Sequence, residues 1–325
     1  MERRLIKEKI IDYCNSLGLD TIGFTECREF SELEEMLEQR RVEEKENIFE
    51  TKEIEKRINP NLYMPEGNTI ISIVFPYLYN KDTPGNIYFS KYTQGMDYHN
   101  VLKIYLKKIC CFIESIGGIA MPFVDSNALP ERYIAKLSGV GFIGKNQMLI
   151  TKKYGSYVFL GEIITNLDLG TSPELEESCG ECEACFKICP TSAINKDGCE
   201  PNKCLSFITQ KKDLEEEWLA KLQGRLFGCD SCQNICPKNS NIEFSKLPEF
   251  MPFPYMESPD LQELLTLSKN EFNEKYKKTS CGWRGKNVLQ RNALISAILL
   301  EKANKVENNC KNQYIDEYYH RLLKL

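Results

Sequence analysis

Four cysteines within residues 179–190 constrain this chain more than any other feature, because they stand at the spacing C-x2-C-x2-C-x3-C. Pro190 follows the last of them directly. Loops that hold a cubane iron–sulfur cluster have this spacing: three close thiolates wrap one cluster, and the fourth reaches a second cluster. The run therefore predicts a 4Fe–4S cluster and implies that another lies beside it.

The second cluster has its own run at residues 229–237, which repeats the pattern without its first cysteine. Cys204 is the candidate for that missing position. In the crossed arrangement of two-cluster modules, each run gives its last cysteine to the cluster of the other run. The first cluster then takes Cys179, Cys182, Cys185 and Cys236, and the second takes Cys229, Cys232, Cys189 and Cys204.

Disulfides and zinc are the alternative uses of so many cysteines. Disulfides form in oxidising compartments, and no apolar segment after Met1 looks like a signal peptide. Zinc sites usually close with two C-x2-C pairs or with histidines, and the only histidines here are His99 and His320. The spacing favours iron–sulfur clusters over both.

Length and composition indicate a globular protein of two or three domains, since the chain has 325 residues with 27% charged side chains. A net charge of −5 gives no general attraction to nucleic acid, so such binding would need local basic patches. No apolar run reaches the ~20 residues of a membrane span, and 15 cysteines without an export signal predict a cytoplasmic location. Most of the cysteines outside the cluster runs are expected in apolar cores; they are Cys14, Cys27, Cys110, Cys111, Cys199, Cys281 and Cys310.

The order of helical and strand patterns predicts an α+β protein in three parts. Residues 1–168 would form an α/β domain, residues 169–240 a ferredoxin-like cluster module, and residues 241–325 a short helical region. The main predicted helices are 4–17, 28–57, 98–117, 131–139, 284–304 and 312–324, and the main predicted strands are 21–25, 69–77, 121–125, 147–151 and 157–165.

Asp125 is the first candidate for acid–base chemistry, because it ends the predicted strand 121–125. Active-site groups are often displayed at strand ends and in the loops that follow them. An equally weighted alternative is that Asp125 only caps the helix that starts near Pro130.

Two further motifs are similar to cofactor-binding sequences but lack their context. Residues 139–146 read G-x-G-x-x-G-K, yet their glycines follow a predicted helix and precede a strand, unlike a nucleotide-phosphate loop. They favour close packing of the backbone against a flat cofactor. Asp97 and His99 begin a D-x-H-x-x-G cobalamin motif in which Leu102 replaces the glycine. We therefore expect His99 to line a polar site or open a helix rather than bind cobalt.

Together these stretches resemble the epoxyqueuosine reductase family, the cobalamin- and iron–sulfur-dependent enzymes that complete queuosine synthesis on tRNA. The resemblance extends in matching order over residues 5–295. It is carried by residues 95–99, 124–126, 131–132, 141–146, 155–162, 179–190, 225–237 and 291–292.

The resemblance implies a base-off cobalamin between the first domain and the cluster module, with no protein ligand to cobalt, and a C-terminal HEAT-like helical region. Electrons would pass from an external donor such as flavodoxin or ferredoxin through both clusters to cobalamin. The reaction would deoxygenate a modified guanine at the wobble position of a queuosine-type anticodon, with Asp125 as the proton donor of a monomeric enzyme. Cobalamin contacts are expected from Tyr98, His99, Asp125, Gly141, Gly144, Lys145, Asn146 and Ser206.

Two other functions stay open at this point. A related corrinoid reductase of a small molecule is indicated by the net negative charge and by Asn127 and Ala128, which replace more usual residues beside Asp125. A plain two-cluster electron carrier would not need the residues before the clusters. Basic candidates for tRNA binding are Lys211 and Lys212, Lys277 and Lys278, and residues 284–286 with Arg291, although solvated surface charge is the more frequent explanation of each group alone.

Overall fold

The computed structural model describes residues 2–82, 85–300 and 312–324. The elements of the N-terminal part are α1 (Glu2–Ser16), β1 (Ile22–Glu26), α2 (Glu34–Val42), α3 (Ile54–Ile58), β2 (Thr69–Pro76), β3 (Tyr88–Phe89), α4 (Tyr98–Ser115), β4 (Ala120–Phe123), α5 (Glu131–Leu137), β5 (Phe142–Ile143), β6 (Leu149–Ile150) and β7 (Val158–Thr165). The cluster module contains α6 (Ala184–Ile188), β8 (Ile194–Asn195), β9 (Gly198–Cys199), α7 (Leu205–Ile208), α8 (Glu216–Leu219), β10 (Arg225–Phe227) and α9 (Ser231–Asn234). The C-terminal part contains α10 (Pro254–Glu257), α11 (Leu261–Thr266), α12 (Lys269–Glu271), α13 (Lys286–Leu300) and α14 (Gln313–Leu322).

A four-stranded sheet in the order β1-β2-β7-β4 forms the centre of the N-terminal part. Every residue of β2 is buried, because α1 and α4 cover one face of the sheet and α5 covers the other. A β-branched run such as 69–76 is typical of a strand buried on both faces. All pairings in this sheet are antiparallel, so the α+β prediction holds for the chain but the α/β label for the first domain is wrong.

The predicted helix 28–57 is also wrong, since residues 43–53 form a loop between α2 and α3. Glu44 has a positive φ of 53°, which ends the helical path. The charged side chains then fold back on one another: Glu50 pairs with Arg40 at 2.8 Å and with Arg57 at 3.0 Å. These pairs are mostly shielded from solvent, so the loop is held in one conformation.

The N-terminal part and the cluster module are joined by a parallel pair of strands, β3 and β10. The backbone N–H of Tyr88 donates to the carbonyl of Gly224 at 2.9 Å, and that of Ser90 donates to Phe227 at 3.0 Å. Asp230 is buried beside this pair and accepts from the backbone N–H of Lys91 at 2.8 Å. The relative position of the two parts is therefore fixed by main-chain hydrogen bonds rather than by surface contacts alone.

Arg291, on α13, is fully buried, so its predicted part in a basic tRNA surface is wrong. Its guanidinium donates to the carbonyls of Thr209, Lys211 and Lys212, at 3.2, 2.6 and 2.8 Å. These carbonyls follow α7, which begins directly after Cys204. The C-terminal part thus holds the backbone that carries one of the predicted cluster ligands.

The cysteines outside the cluster runs divide between core and surface. Cys14, Cys27, Cys110 and Cys281 are buried, as predicted. Cys111 is exposed and Cys199 is half-buried, so the prediction is confirmed for most of the described cysteines outside the cluster runs. Cys310 and the end of the predicted helix 284–304 lie outside the described residues. No helix among those residues has the length and apolar character needed to cross a bilayer.

Replacing Arg291 with methionine should destabilise the protein by about 2–4 kcal/mol, because this fully buried side chain loses its hydrogen bonds to the carbonyls of Thr209, Lys211 and Lys212. The free energy of unfolding in urea, measured at constant iron content, checks this. The matched control is Arg4→Met, whose side chain is 86% exposed and should change stability by less than about 0.5 kcal/mol. Equal effects of the two substitutions would contradict a structural role for Arg291.

Candidate functional site

Cys179, Cys182, Cys185 and Cys236 line one small cavity, whose other walls include Asn146 and Pro237. The side-chain nitrogen Nδ2 of Asn146 is buried there and has no acceptor within the described residues. The backbone N–H of Lys145 already donates to Cys179 Sγ at 3.4 Å. These two N–H donors lie beside the four thiols. They fit a 4Fe–4S cluster, whose sulfurs accept hydrogen bonds.

Cys232, Cys229, Cys204 and Cys189 form the second group. Burial raises the pKa of Cys232, and its three neighbours lie near enough for their charges to raise it further. Arg225 is buried beside this group and its Nε donates to Cys229 Sγ at 3.3 Å. A cation touching a cluster ligand favours the reduced, more negative state of a cluster. Sequence reasoning did not single out Arg225.

The thiols are spread too widely to surround a single ion. Within residues 2–82, 85–300 and 312–324, no three His, Cys, Asp or Glu side chains converge on one metal position. A cube of four irons and four sulfurs separates its thiolates further than one zinc ion does. The two groups of cysteines therefore suit clusters and do not suit mononuclear zinc.

A hydrogen-bonded chain of Asp97, His99 and Asp125 lies at the start of α4. Asp97 caps the helix by accepting from the backbone N–H of His99 at 3.1 Å, and its Oδ1 contacts His99 Nδ1 at 2.7 Å. His99 Nε2 contacts Asp125 Oδ2 at 2.9 Å. Although burial opposes it, hydrogen bonding to the two carboxylates raises the pKa of His99 to about 9. At neutral pH the ring is therefore an imidazolium, and neither nitrogen is free for a metal.

Asp125 itself stands in a loop after β4 with a φ of 45°, in the left-handed region that non-glycine residues rarely adopt. Glu131 Oε1 holds this loop by accepting from the backbone N–H of Asp125 at 2.6 Å and from Asn127 Nδ2 at 2.8 Å. The position before α5 is occupied by Pro130, without a side-chain cap, so the capping alternative for Asp125 is wrong. The Asp125 side chain is 52% exposed and can meet a substrate.

Two more carboxyl groups lie behind Asp125. Burial and the charge of Asp125 raise the pKa of Glu131 to about 7. Glu162, on β7, is fully buried, and burial followed by the charge of Glu131 raises its pKa well above the usual range. Ser72 Oγ donates weakly to Glu162 Oε1 at 3.4 Å, and Oε2 has no partner among the described residues. Two carboxyl groups of raised pKa therefore lie behind Asp125, a feature that sequence reasoning missed.

The other residues predicted to contact the cofactor lie in different parts of the structure. Tyr98 stacks on Phe159, with ring centroids 4.3 Å apart, and on His99 at 4.1 Å. Ser206 lies on α7 of the cluster module, next to Tyr92. Lys145 Nζ donates to the carbonyl of Gly180 at 2.8 Å, so Lys145 joins the first cysteine group.

Gly141 and Gly144 are explained by their own hairpin. An added Cβ would lie 2.7 Å from the carbonyl oxygen of Ile150 at Gly141, and 2.5 Å from its Cδ1 atom at Gly144. The close packing with β6 therefore accounts for glycine at these two positions, and their contact with a flat cofactor stays a prediction.

Comparison with family models gives two matches. Residues 178–239 match the 4Fe-4S double cluster binding domain. Residues 57–126 match the model described as "Epoxyqueuosine reductase QueG, DUF1730".

Curated relatives match over nearly the whole chain. The epoxyqueuosine reductase of Bacillus cereus is 38% identical over 318 residues, covering 94% of this chain and 83% of the relative. That of Bacillus subtilis is 38% identical over 304 residues, covering 90% and 78%.

Solved structures agree with this likeness. An epoxyqueuosine reductase in complex with an epoxyqueuosine-modified tRNA-Tyr stem loop has a TM-score of 0.94 at 33% identity, covering 99% of this chain and 90% of that one. The Bacillus subtilis enzyme, in a structure with its catalytic aspartate loop swung out of the active site, has a TM-score of 0.90 at 34% identity, covering 98% and 90%.

Cys204 and Cys199 offer a matched test of the ligand assignment, because both are half-buried cysteines of the cluster module. Cys204→Ala should remove one cluster and lower the iron content of anaerobically reconstituted protein from about eight to about four atoms per chain. Cys199→Ala should keep about eight. Iron and sulfide assays with electron paramagnetic resonance measure both. Full loading of the Cys204 variant would overturn the assignment.

Proposed function

The chain belongs to the epoxyqueuosine reductase family, and we propose that it reduces epoxyqueuosine in tRNA to queuosine, with Asp125 as proton donor. The observation that carries this role for Asp125 is its 2.9 Å contact with His99, which places an exposed carboxyl next to a protonated imidazole. A plain two-cluster electron carrier would have no use for this arrangement.

Removing the epoxide oxygen as water consumes two electrons and two protons. The two cysteine groups are suited to deliver electrons one at a time, from an external donor such as flavodoxin or ferredoxin. The crossed assignment of Cys189 and Cys236 would bring the two clusters close together. Lys145 and Arg225 would set their potentials by donating to the ligand sulfurs Cys179 and Cys229.

A base-off cobalamin fits the side chains present. Both nitrogens of His99 are engaged by Asp97 and Asp125, so the ring is not available as a ligand to cobalt. Cobalamin would supply the strongly reducing centre that acts on the epoxide. Tyr98, His99 and Asp125 would contact it from the N-terminal part, and Ser206 from the cluster module.

The first proton would pass from the His99 imidazolium to the Asp125 carboxylate, and from that exposed carboxyl to the epoxide oxygen or the departing hydroxyl. His99 would then take up a proton from water for the second transfer, and Asp97 Oδ1 would stabilise the imidazolium through its 2.7 Å contact with Nδ1. Glu131 would keep Asp125 in place by binding its backbone N–H. The strained backbone of Asp125 means that this position depends on both contacts.

Asp125→Asn should lower turnover by about 10²- to 10⁴-fold, because the amide keeps the shape but cannot donate an acidic proton. The assay is anaerobic conversion of an epoxyqueuosine-containing stem loop, with iron content checked in parallel. Asp168→Asn is the control: its side chain is 67% exposed and pairs with Arg3 away from the site. An Asp125 variant with the control's rate would rule out the proton-donor role.

The pH dependence tests the part of His99. Since the pKa of His99 is raised to about 9, the imidazolium is present below that value and is lost as pH rises through it. We expect kcat/KM for the stem loop to fall along a descending limb near pH 9. In His99→Gln, overall activity should drop and that limb should disappear. An unchanged limb in the variant would show that another group titrates.

A further inference from the structure

An exposed aromatic cluster stands where the three parts of the chain meet. It consists of Phe49, Phe207, Trp283 and Arg284, and we call it the aromatic platform. Phe49 contacts Phe207 edge-on with centroids 5.3 Å apart, and Trp283 edge-on at 5.5 Å. Trp283 is 55% exposed and Phe49 is 47% exposed. Large aromatic rings so accessible to water are unusual unless they meet a partner.

Arg284 gives the platform a positive charge. Its guanidinium lies 4.4 Å from the centroid of the Trp283 ring and 5.6 Å from that of Phe49. In the part of the chain that the structure describes, no carboxylate forms an ion pair with Arg284; its Nε instead donates to the carbonyl of Gln210. The charge is therefore available to an external anion, even though the whole chain carries a net charge of −5.

The platform is held rigidly. Trp283 lies in a 3₁₀ turn, residues 282–284, that follows the fully buried Cys281. A Cβ at Gly282 would lie 2.6 Å from the Cα of Lys277, so the turn packs tightly against the preceding segment. On the other side, the loop carrying Phe49 is fixed by the ion pairs of Glu50 with Arg40 and Arg57. Rigid aromatic side chains lose little entropy when a ligand stacks on them.

The platform adjoins Ser206, a residue expected to contact the cofactor of the proposed catalytic site. Phe207 directly follows Ser206, the predicted cobalamin contact, on α7. Gln210 connects the two, because its Nε2 donates to the carbonyl of Ser206 at 2.8 Å while its own carbonyl accepts from Arg284. A nucleic acid with one base in the catalytic site would therefore have its neighbouring nucleotides near the platform.

We propose that the aromatic platform binds an unpaired base of the tRNA anticodon loop next to the modified one, by stacking on Trp283, while Arg284 contacts a loop phosphate. This inference rests on the proposed function, since it takes the substrate to be a tRNA loop. Stacking on exposed aromatic rings with a nearby arginine is how proteins hold single-stranded nucleic acid without reading sequence. A base inside a duplex has both faces covered by its stacked neighbours, so the platform selects loops over duplexes.

Binding of an epoxyqueuosine-containing stem loop to the reconstituted protein tests the proposal. Trp283→Ala should weaken binding about 5- to 100-fold. Arg284→Gln should also lower the slope of log affinity against log salt by about 0.7, the value for one phosphate contact on a single strand. Phe244→Ala is the matched control, because Phe244 is an exposed aromatic residue, 44% accessible, outside the platform. It should bind as the unmodified protein does.

Tryptophan fluorescence reports the stacking directly, because the chain has only two tryptophans and Trp218 is buried. In Trp218→Phe, the stem loop should quench the remaining emission from Trp283, whereas an RNA duplex of equal length should not. The proposal would be contradicted if Trp283→Ala and the Phe244→Ala control bound the stem loop with equal affinity. It would also be contradicted if the duplex and the stem loop quenched the Trp283 emission equally. Its failure is separable from failure of the proposed function: without the platform the stem loop is still converted, and without the function it is not converted at all.

Discussion

The contact between His99 and Asp125 is the interaction on which the rest of the proposed chemistry depends. It joins the first turn of α4 to the loop after β4, two elements whose positions are fixed by the central sheet. The C-terminal part contributes as well, because the backbone N–H of Asp97 donates to the carbonyl of Lys278 at 2.9 Å. The proposed proton donor, Asp125, thus sits in a strained loop that is held from several directions. Preorganisation of this kind lets a carboxyl act without reorganising during the reaction.

The same principle applies to the path of the electrons. The β3–β10 pair fixes the cluster module against the N-terminal part, and Arg291 fixes the backbone after Cys204 from the opposite side. Lys145 belongs to the N-terminal part but binds Cys179 and Gly180 of the first cluster loop. Rigid joints keep donor and acceptor at a constant separation, which electron transfer requires. We therefore expect the N-terminal part and the cluster module to act as one catalytic unit.

Sequence reasoning succeeded where short-range constraints decide the structure. The cysteine spacing predicts two groups of thiols because a few residues of chain leave little freedom, and the β-branched run at 69–76 predicts a buried strand. It failed where distant residues decide. Charged residues such as Arg40, Glu50 and Arg57 have the sequence pattern of a solvent-exposed helix. In the structure, their ion pairs hold a loop instead. Arginine is usually a surface residue, and only the hydrogen bonds to the carbonyls after α7 explain why Arg291 is buried. Asp125 and His99 were both candidates, yet no pattern predicted that they touch.

The most direct test of the account is the anaerobic conversion of an epoxyqueuosine-containing tRNA stem loop by the protein reconstituted with both clusters and cobalamin, followed by mass spectrometry of the nucleosides. The account predicts queuosine, lighter than the starting nucleoside by one oxygen atom, in an amount that follows the electrons supplied. Unchanged epoxyqueuosine in the presence of full iron loading, bound cobalamin and a competent donor would contradict it.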